Sequence, residues 1–124
     1  MAHVKVLLAE DDSATAQMYS LALESVGWEV QIARDGQSAV EAALAEPPSI
    51  LLLDIEMPKL NGIEVLEELR RHTQTMQTPV VVLSNSPGSK SMEEAYALGV
   101  SAWAVKSKTP PPALITLVRG YLGV

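Results

Sequence analysis

Acidic, hydroxyl and ammonium side chains follow the short apolar runs of this 124-residue sequence. Glu10-Asp11-Asp12, Asp54, Ser84 and Lys106 each come directly after such a run. Carboxylates that crowd together repel one another and raise each other's pKa unless a cation lies among them. Oxygen ligands of this kind suit a hard divalent cation, most naturally Mg²⁺, which also shares phosphate oxygens. A lysine adds a point charge for a phosphoryl oxygen or a carboxylate, so these residue types predict phosphoryl chemistry if the fold brings them together.

Five short β-rich runs alternate along the chain with stretches of helical spacing. The runs are Val4–Ala9, Val30–Ala33, Ile50–Leu53, Val80–Leu83 and Trp103–Val105. The third and fourth are apolar on both faces, which is typical of strands in the middle of a parallel sheet that helices cover on each side. We therefore predict a doubly wound α/β fold of five βα units, forming a single domain over residues 1–124.

Each helical stretch carries an apolar stripe that is expected to face the core. The predicted stripes are Ala14, Met18, Leu21 and Ala22; Val40, Ala43 and Leu44; Ile63, Leu66 and Leu69; Met92, Ala95 and Tyr96; and Leu114, Leu117, Val118 and Tyr121. Ser13 is expected to cap the first helix, and Gly27 and Gly99 to follow helix ends in the left-handed region. Of the three prolines before the last helix, Pro112 is expected to occupy its first turn.

The carboxyl ends of the strands are the expected place for a ligand in such a sheet. We therefore expect Glu10-Asp11-Asp12, Asp54, Ser84 and Lys106 to converge on one edge. The second strand ends in Arg34-Asp35-Gly36, which we interpret as a helix cap and turn rather than as part of the site.

Composition excludes several other classes of protein. Nine Lys and Arg against fifteen Asp and Glu leave a net charge of −6, which disfavours direct binding to nucleic acid. The absence of cysteine excludes disulfides, thiol catalysis and cysteine-ligated metals, and two histidines, His3 and His72, exclude a multi-histidine metal site. No apolar run approaches the ~18 residues of a membrane span, and charge appears by Glu10, so no signal peptide is visible. A cytoplasmic location, away from membranes, is the expectation.

The sequence resembles the receiver domain of the response regulators of two-component signalling, from Val4 to about Tyr121. The matching stretches are Leu7-Leu8-Ala9-Glu10-Asp11-Asp12, Leu52-Leu53-Asp54-Ile55-Glu56-Met57-Pro58 with Asn61-Gly62, Val82-Leu83-Ser84, and Gly99-Val100-Ser101-Ala102-Trp103-Ala104-Val105-Lys106. Each stretch alone is a weak signal, but together they are specific. The resemblance implies the strand order 2-1-3-4-5 of the chemotaxis receiver.

The resemblance also implies roles for the acidic residues. Asp54 would accept a phosphoryl group from a phosphohistidine donor, either a sensor histidine kinase or a histidine phosphotransfer protein. Asp11 and Asp54 would bind Mg²⁺ directly, and Glu10 through water. The main-chain carbonyl of Glu56 would complete the protein ligands.

Three further residues have roles implied by the resemblance. Ser84 would move to hydrogen-bond the phosphoryl group, Lys106 would pair with it, and Trp103 would be the ring that swings inward. The fourth helix, fifth strand and fifth helix would then form the surface for a downstream protein, in a monomer or a phosphorylation-dependent dimer. Such a domain assists its own phosphorylation and dephosphorylation, and is not an enzyme in the usual sense.

Alternative interpretations of the same residues stay open at this point. The pair Asp11-Asp12 could be a helix cap, and Asp54 and Lys106 could form a structural ion pair. An aspartyl-phosphate phosphatase would use Glu56 as its acid, although no cap domain is encoded. A flavodoxin-like nucleotide carrier is disfavoured because Glu10-Asp11-Asp12 would repel phosphate at the first turn. A receiver that is never phosphorylated is the remaining alternative.

The chain departs from the family pattern at the loop after Lys106. Ser107-Lys108 stands where the family usually has proline, and a cis peptide there would cost ~3 kcal/mol without proline. Glu56 and Ser86 lie where the family tunes the access of water to the phosphoryl group. Only three residues follow Tyr121, so we expect no output domain within this sequence, whether it is a free-standing receiver or a fragment.

Overall fold

Strands and helices alternate through the computed structural model, which describes residues 3–88 and 90–124. The elements are β1 (Lys5–Ala9), α1 (Ser13–Ser25), β2 (Glu29–Ala33), α2 (Gly36–Ala45), β3 (Ile50–Asp54), α3 (Gly62–Arg70), β4 (Val80–Ser84), α4 (Lys90–Ala97), β5 (Ala102–Val105), a 3-10 turn (Lys106–Lys108) and α5 (Pro111–Leu122). The predicted strands are thus all present, each within one residue of its predicted bounds. None of the helices in the described part of the chain is both long and apolar enough to span a membrane.

The five strands form one parallel sheet in the order β2-β1-β3-β4-β5. This order confirms the doubly wound α/β fold. Every residue of β1, β3 and β4 is buried, as expected for central strands covered on both faces. The edge strand β2 is mostly exposed.

Two apolar cores lie on opposite faces of the sheet. Successive side chains of a strand point to opposite faces, so Leu51 and Leu53 of β3 pack with α2, α3 and α4, while Leu52 packs with α1 and α5. Leu66 of α3 and Val118 of α5 are fully buried representatives of these two cores. The cores hold the sheet rigid, and the strand ends are where polar side chains emerge.

The predicted core-facing stripe of α1 is wrong. Met18 and Leu21 are 44% and 60% exposed, whereas Ala16, Tyr19 and Leu23 are buried against the sheet. The buried set has the same helical spacing as the predicted one, and the difference is a rotation of the helix about its axis. Tyr19 can be buried because its hydroxyl donates a hydrogen bond to the carbonyl of Thr109.

One helix terminus differs from prediction. Asp12, not Ser13, caps α1, because its carboxylate accepts a hydrogen bond from the amide of Thr15 at 2.9 Å. Helix α5 begins at Pro111, and Pro112 lies in its first turn as predicted. Gly27 follows α1 with φ of 90°, as predicted for a left-handed helix end.

Two other predicted stripes are only partly buried. In α4, Ala95 is buried but Tyr96 is 46% exposed, and in α5 Tyr121 is 47% exposed. Both tyrosines therefore lie at the solvent boundary of their helices. Gly99, after α4, has the predicted positive φ, 79°.

The loop after β3 is packed closely against its neighbours. A β-carbon added to Gly36 would overlap the carbonyl of Leu60, and one added to Gly62 would lie 2.7 Å from the Cα of Ile55. The amide of Gly62 also donates to the Ile55 carbonyl at 3.0 Å. Glycine is needed at both positions because the backbones approach too closely for a side chain, and the loop that follows Asp54 is held firmly as a result.

Candidate functional site

The register of the sheet explains why the polar strand ends meet. It pairs Ala9 with Leu53, Asp54 with Leu83, and Ser84 with Val105. Glu10 and Lys106 each follow the last paired residue of a strand, so both lie at the same edge as Asp54. The carboxyl ends of the parallel strands thus bring together residues that are far apart in sequence, as expected.

Three carboxylates form a cluster at this edge. One oxygen from each of Glu10, Asp11 and Asp54 lies within 4.8 Å of the others. Glu10 is fully buried, Asp54 is 2% exposed, and Asp11 is exposed to solvent. The cluster is therefore anchored in the core on one side and open to water on the other.

Among the described residues, one ammonium group forms ion pairs with this cluster. The Nζ atom of Lys106 lies 2.8 Å from Oε1 of Glu10 and 3.1 Å from Oδ2 of Asp54. Burial alone would lower the pKa of Lys106, but the two carboxylates outweigh it and raise the pKa, so the side chain stays charged. Three carboxylates against one ammonium leave the cluster with a formal charge of −2.

Both oxygens of the Asp54 carboxylate have partners. Oδ1 accepts a hydrogen bond from the amide of Glu56 at 2.9 Å, and Oδ2 accepts one from Lys106. Burial raises the pKa of Asp54 to about 7, and the neighbouring Glu10 adds to the rise while the two hydrogen bonds oppose it. Near neutral pH this carboxyl group therefore lies between its protonated and ionised forms, and a divalent cation beside it would favour the ionised one.

The third acidic residue of the first loop points elsewhere. The amide of Asp12 donates to Oε2 of Glu10 at 3.1 Å, while the Asp12 carboxylate turns to the first turn of α1 and bonds Thr15. Those hydrogen bonds lower the pKa of Asp12. The structure therefore brings Glu10 and Asp11 into the cluster and leaves Asp12, which was expected to converge with them, outside it.

Arg34 is a contact that the sequence interpretation missed. Its guanidinium donates to the main-chain carbonyl of Asp11 at 3.0 Å and also bonds the hydroxyl of Ser13. We interpreted this stretch as a cap and turn, and Asp35 does cap α2 through the amide of Ser38. No sequence pattern around Arg34 indicates that its side chain reaches the segment between β1 and α1.

Ser84 and Trp103 line one small cavity of about 200 Å³, together with Glu56. The hydroxyl of Ser84 accepts a hydrogen bond from the amide of Ser86 at 3.1 Å, and the indole Nε1 of Trp103 donates to the Ser86 carbonyl at 2.9 Å. Trp103 is half-buried and packs against the core on the α2, α3 and α4 face. Ser86 thus bonds both Ser84 and Trp103, the two residues that the family resemblance implies would move.

The loop after Lys106 takes a form that its sequence left open. The described residues contain no cis peptide bond. Lys106–Lys108 form a 3-10 turn, which the amide of Thr109 closes on the Lys106 carbonyl at 3.2 Å. Lys106 therefore reaches the carboxylates without the proline that usually follows it in the family.

A larger cavity of about 500 Å³ lies beside the cluster, and Asp11, Glu56 and Asn61 are among its lining residues. The exposed Asp11 therefore belongs both to the carboxylate cluster and to the wall of this cavity. A buried carboxylate, an adjacent ammonium and two further carboxylates are together suited to nucleophilic attack on phosphorus with charge neutralisation.

Comparison with known proteins places these features in a family. A family model described as the response regulator receiver domain matches residues 6–119. The probable transcriptional regulatory protein TcrX of Mycobacterium tuberculosis is 37% identical over 108 residues, which cover 87% of this chain and 44% of that protein. The chain therefore spans less than half the length of this curated relative.

Solved structures give the same result. The chemotaxis protein CheY4 of Vibrio cholerae is similar with a TM-score of 0.89 and 29% identity, covering 96% of this chain and 98% of that one. The receiver domain of a sensor histidine kinase from Pseudomonas aeruginosa, described with a magnesium ion coordinated in its active-site cleft, has a TM-score of 0.89 and 23% identity over 99% of this chain and 100% of its own.

Proposed function

The chain belongs to the family of response regulator receiver domains, and on that premise we propose that Asp54 is its phosphoacceptor. Receiver domains interact with histidine kinases and downstream effectors, and phosphoryl transfer to an aspartate is typical of them. The proposed donor is the phosphohistidine of a sensor histidine kinase or of a histidine phosphotransfer protein. The observation that carries this proposal is the buried carboxylate of Asp54, hydrogen-bonded by Lys106 beside two further carboxylates.

We propose that Glu10, Asp11 and Asp54 hold Mg²⁺, with the main-chain carbonyl of Glu56 as a further ligand. The formal charge of −2 and the all-oxygen donor set fit a hard divalent cation. The exposure of Asp11 leaves space for the waters that Mg²⁺ retains. When bound, the cation supplies positive charge to the carboxylates and to the oxygens of the phosphoryl group.

In the proposed reaction, an ionised oxygen of Asp54 forms a bond to phosphorus as the phosphorus–nitrogen bond of the donor breaks. The electron pair of that bond returns to the imidazole ring of the donor. Lys106 places its charge beside the acceptor carboxylate, and the Ser84 hydroxyl is a donor for a phosphoryl oxygen. Catalysis of this kind is mostly positioning and charge neutralisation, so the domain assists its own phosphorylation and hydrolysis without being a turnover enzyme.

The proposed output is a change of protein-binding surface. Movement of Ser84 toward the phosphoryl group would release its bond to Ser86, the residue that also holds the ring of Trp103. The surface would be that of α4, β5 and α5, and the acidic net charge supports a protein rather than nucleic acid as the direct target. We propose that the domain acts in the cytoplasm, as a monomer or a phosphorylation-dependent dimer.

Incubation with acetyl phosphate and Mg²⁺ tests the proposal. The wild-type protein is expected to acquire an acid-stable, base-labile phosphate, and Asp54→Asn is expected to abolish it. Asp12→Asn is the matched control, because this carboxylate lies on the adjacent loop but caps α1, and asparagine caps equally well. Phosphorylation that survives Asp54→Asn would contradict the assignment. Absence of modification in the wild type would indicate a silent receiver, and phosphate release over many turnovers a phosphatase.

A further inference from the structure

Lys106 lies outside the hydrogen-bonded ladder of the sheet. The pairing of β4 with β5 ends at Ser84 and Val105, so the strand itself does not fix the next residue. The two residues that follow, Ser107 and Lys108, are exposed and carry no proline to restrict their backbone. Some other contact must hold Lys106 where its ammonium meets the carboxylates.

Thr109 supplies two such contacts. Its hydroxyl donates to the carbonyl of Val105 at 2.7 Å, and its amide donates to the carbonyl of Lys106 at 3.2 Å. These are the carbonyls on either side of the Lys106 nitrogen and α-carbon, so one residue holds the backbone before and after the lysine. Thr109 is only 6% exposed, which shields both hydrogen bonds from competition with water.

Tyr19 then ties Thr109 to α1. Its hydroxyl donates to the Thr109 carbonyl at 2.8 Å across 90 residues of sequence, and its side chain is 1% exposed. Burial raises the pKa of Tyr19, so the hydroxyl stays a proton donor at neutral pH. Helix α1 starts at the Asp12 cap, directly after Glu10 and Asp11, so the loop that carries these carboxylates leads straight into the helix that anchors the lysine loop.

We infer that Tyr19 and Thr109 are positioning residues for Lys106, holding its loop at the carboxylate cluster in the absence of proline at positions 107 and 108. The inference rests on the proposed function, since it assigns these residues a part in phosphoryl transfer. Their hydrogen bonds act through the backbone of Lys106 and touch neither the phosphoryl group nor the metal ligands.

Tyr19→Phe is the first test, because it removes the hydroxyl and keeps the buried ring. The initial rate of phosphorylation of Asp54 by acetyl phosphate, at saturating Mg²⁺, is expected to fall roughly three- to tenfold, the effect of one buried hydrogen bond. Tyr121→Phe is the matched control. Its hydroxyl donates to the Ser101 carbonyl at 2.9 Å, before the start of β5 rather than after its end, and its loss is expected to leave the rate unchanged.

A second pair of variants keeps the test independent of any folding defect in Tyr19→Phe. Thr109→Val removes the hydroxyl at nearly constant shape and is expected to slow phosphorylation to a similar extent, roughly three- to tenfold. Thr109→Ser retains the hydroxyl and is expected to restore most of the wild-type rate. A role in packing alone would not distinguish valine from serine in this direction, because valine fills the buried site better.

The decisive readout is a double-mutant cycle with Lys106→Ala. If Tyr19 acts through the lysine, Tyr19→Phe should cause no further slowing once the ammonium is gone. Equal slowing in both backgrounds, or equal rates for Tyr19→Phe and Tyr121→Phe, would overturn the inference while wild-type phosphorylation stands. Failure of the wild type to be phosphorylated on Asp54 would instead overturn the proposed function.

Discussion

A lysine lies at each end of the central sheet, and the two are neutralised in opposite ways. Lys5, at the start of β1, is 6% exposed and pairs with Glu46 at 3.1 Å, a carboxylate whose side chain is 71% exposed. Lys106, after β5, pairs with Glu10 and Asp54, whose side chains are 0% and 3% exposed. The ammonium of Lys5 therefore meets one hydrated carboxylate, whereas the ammonium of Lys106 meets two buried ones.

The difference separates a simple ion pair from a cluster that is suited to the proposed chemistry. A buried lysine with a hydrated partner keeps the negative charge in water and needs no further ligand. Glu10 and Asp54 lose their hydration on burial, and the ammonium of Lys106 does not balance these two carboxylates and the exposed Asp11 together. The carboxyl-terminal edge therefore keeps an excess of negative charge that folding alone does not use, which supports cation binding there.

The largest expected difference between the two ends is in the rate of phosphorylation. Lys106→Met is expected to slow transfer from acetyl phosphate by about a hundredfold or more, because it removes a preorganised charge next to the acceptor. Lys5→Met, the same substitution at the opposite end, is expected to leave the rate unchanged. Rates measured at saturating Mg²⁺ test this, and similar losses in both variants would contradict the distinction.

The next effect is on affinity for Mg²⁺. Asp11→Ala is expected to weaken binding about tenfold or more, since it removes a proposed ligand and one negative charge. Emission from Trp103 can follow the titration in a Trp28→Phe background. The substitution removes the emission of Trp28, whose ring centroid lies 5.9 Å from the guanidinium carbon of Arg119. Glu46→Ala removes another exposed carboxylate, at the Lys5 end, and should not alter the titration. An unchanged affinity in Asp11→Ala would exclude this residue as a ligand.

The stability of the protein should also depend on pH through the carboxyl group of Asp54. The pKa of Asp54 is about 7 in the folded protein and 3.8 in an unfolded chain. Between those values the folded state holds a proton that the unfolded state has lost, so this group's contribution to stability declines as pH rises from about 4 to about 7. Asp54→Asn should therefore stabilise the metal-free protein above neutral pH, by a few kcal/mol, and have less effect in acid.

Urea unfolding without divalent ions, at about pH 5 and about pH 8, measures this difference. An identical pH dependence for wild type and Asp54→Asn would show that the carboxyl group of Asp54 is not perturbed by its burial.

The smallest expected effects concern backbone packing. Gly36→Ala should cost about 1–3 kcal/mol of unfolding free energy, because its β-carbon would overlap the Leu60 carbonyl beside the site. Gly120→Ala, in α5, meets nothing within 4 Å and should instead stabilise by about 0.5–1 kcal/mol through helix propensity. Thermal or urea unfolding measures the sign of both changes in stability. A Gly36→Ala variant as stable as the wild type would show that the loop after Asp54 can shift to accommodate the added β-carbon.

Much of the fold follows from local pattern. The apolar runs at Ile50–Leu53 and Val80–Leu83 predict central strands because nothing polar interrupts either face, and both were confirmed to within one residue. The strand order came from the family resemblance, since hydrophobic period carries no information about which strands are neighbours. The prediction that Asp54, Glu10 and Lys106 share one edge needed only that the sheet be parallel.

Helix α1 shows where pattern is insufficient. Met18 and Leu21 lie on one apolar stripe, Tyr19 and Leu23 on another, and both stripes have helical spacing. The second is buried because the Tyr19 hydroxyl finds a carbonyl of the α5-side loop, a partner 90 residues away that no local window contains. Met18 and Leu21, on the first stripe, face solvent.

The sequence by itself determined the chemistry of this protein: which residue types end each strand, and therefore which charges meet at the edge of a parallel sheet. Tertiary structure alone decided how those charges are held. The burial that raises the pKa of Asp54, the reach of Arg34 to Asp11 and the support of the lysine loop by Tyr19 and Thr109 all depend on contacts between distant segments. The identity of a residue sets the chemistry that its side chain can perform, but the free energy of its charged form depends on neighbours that only the folded chain supplies.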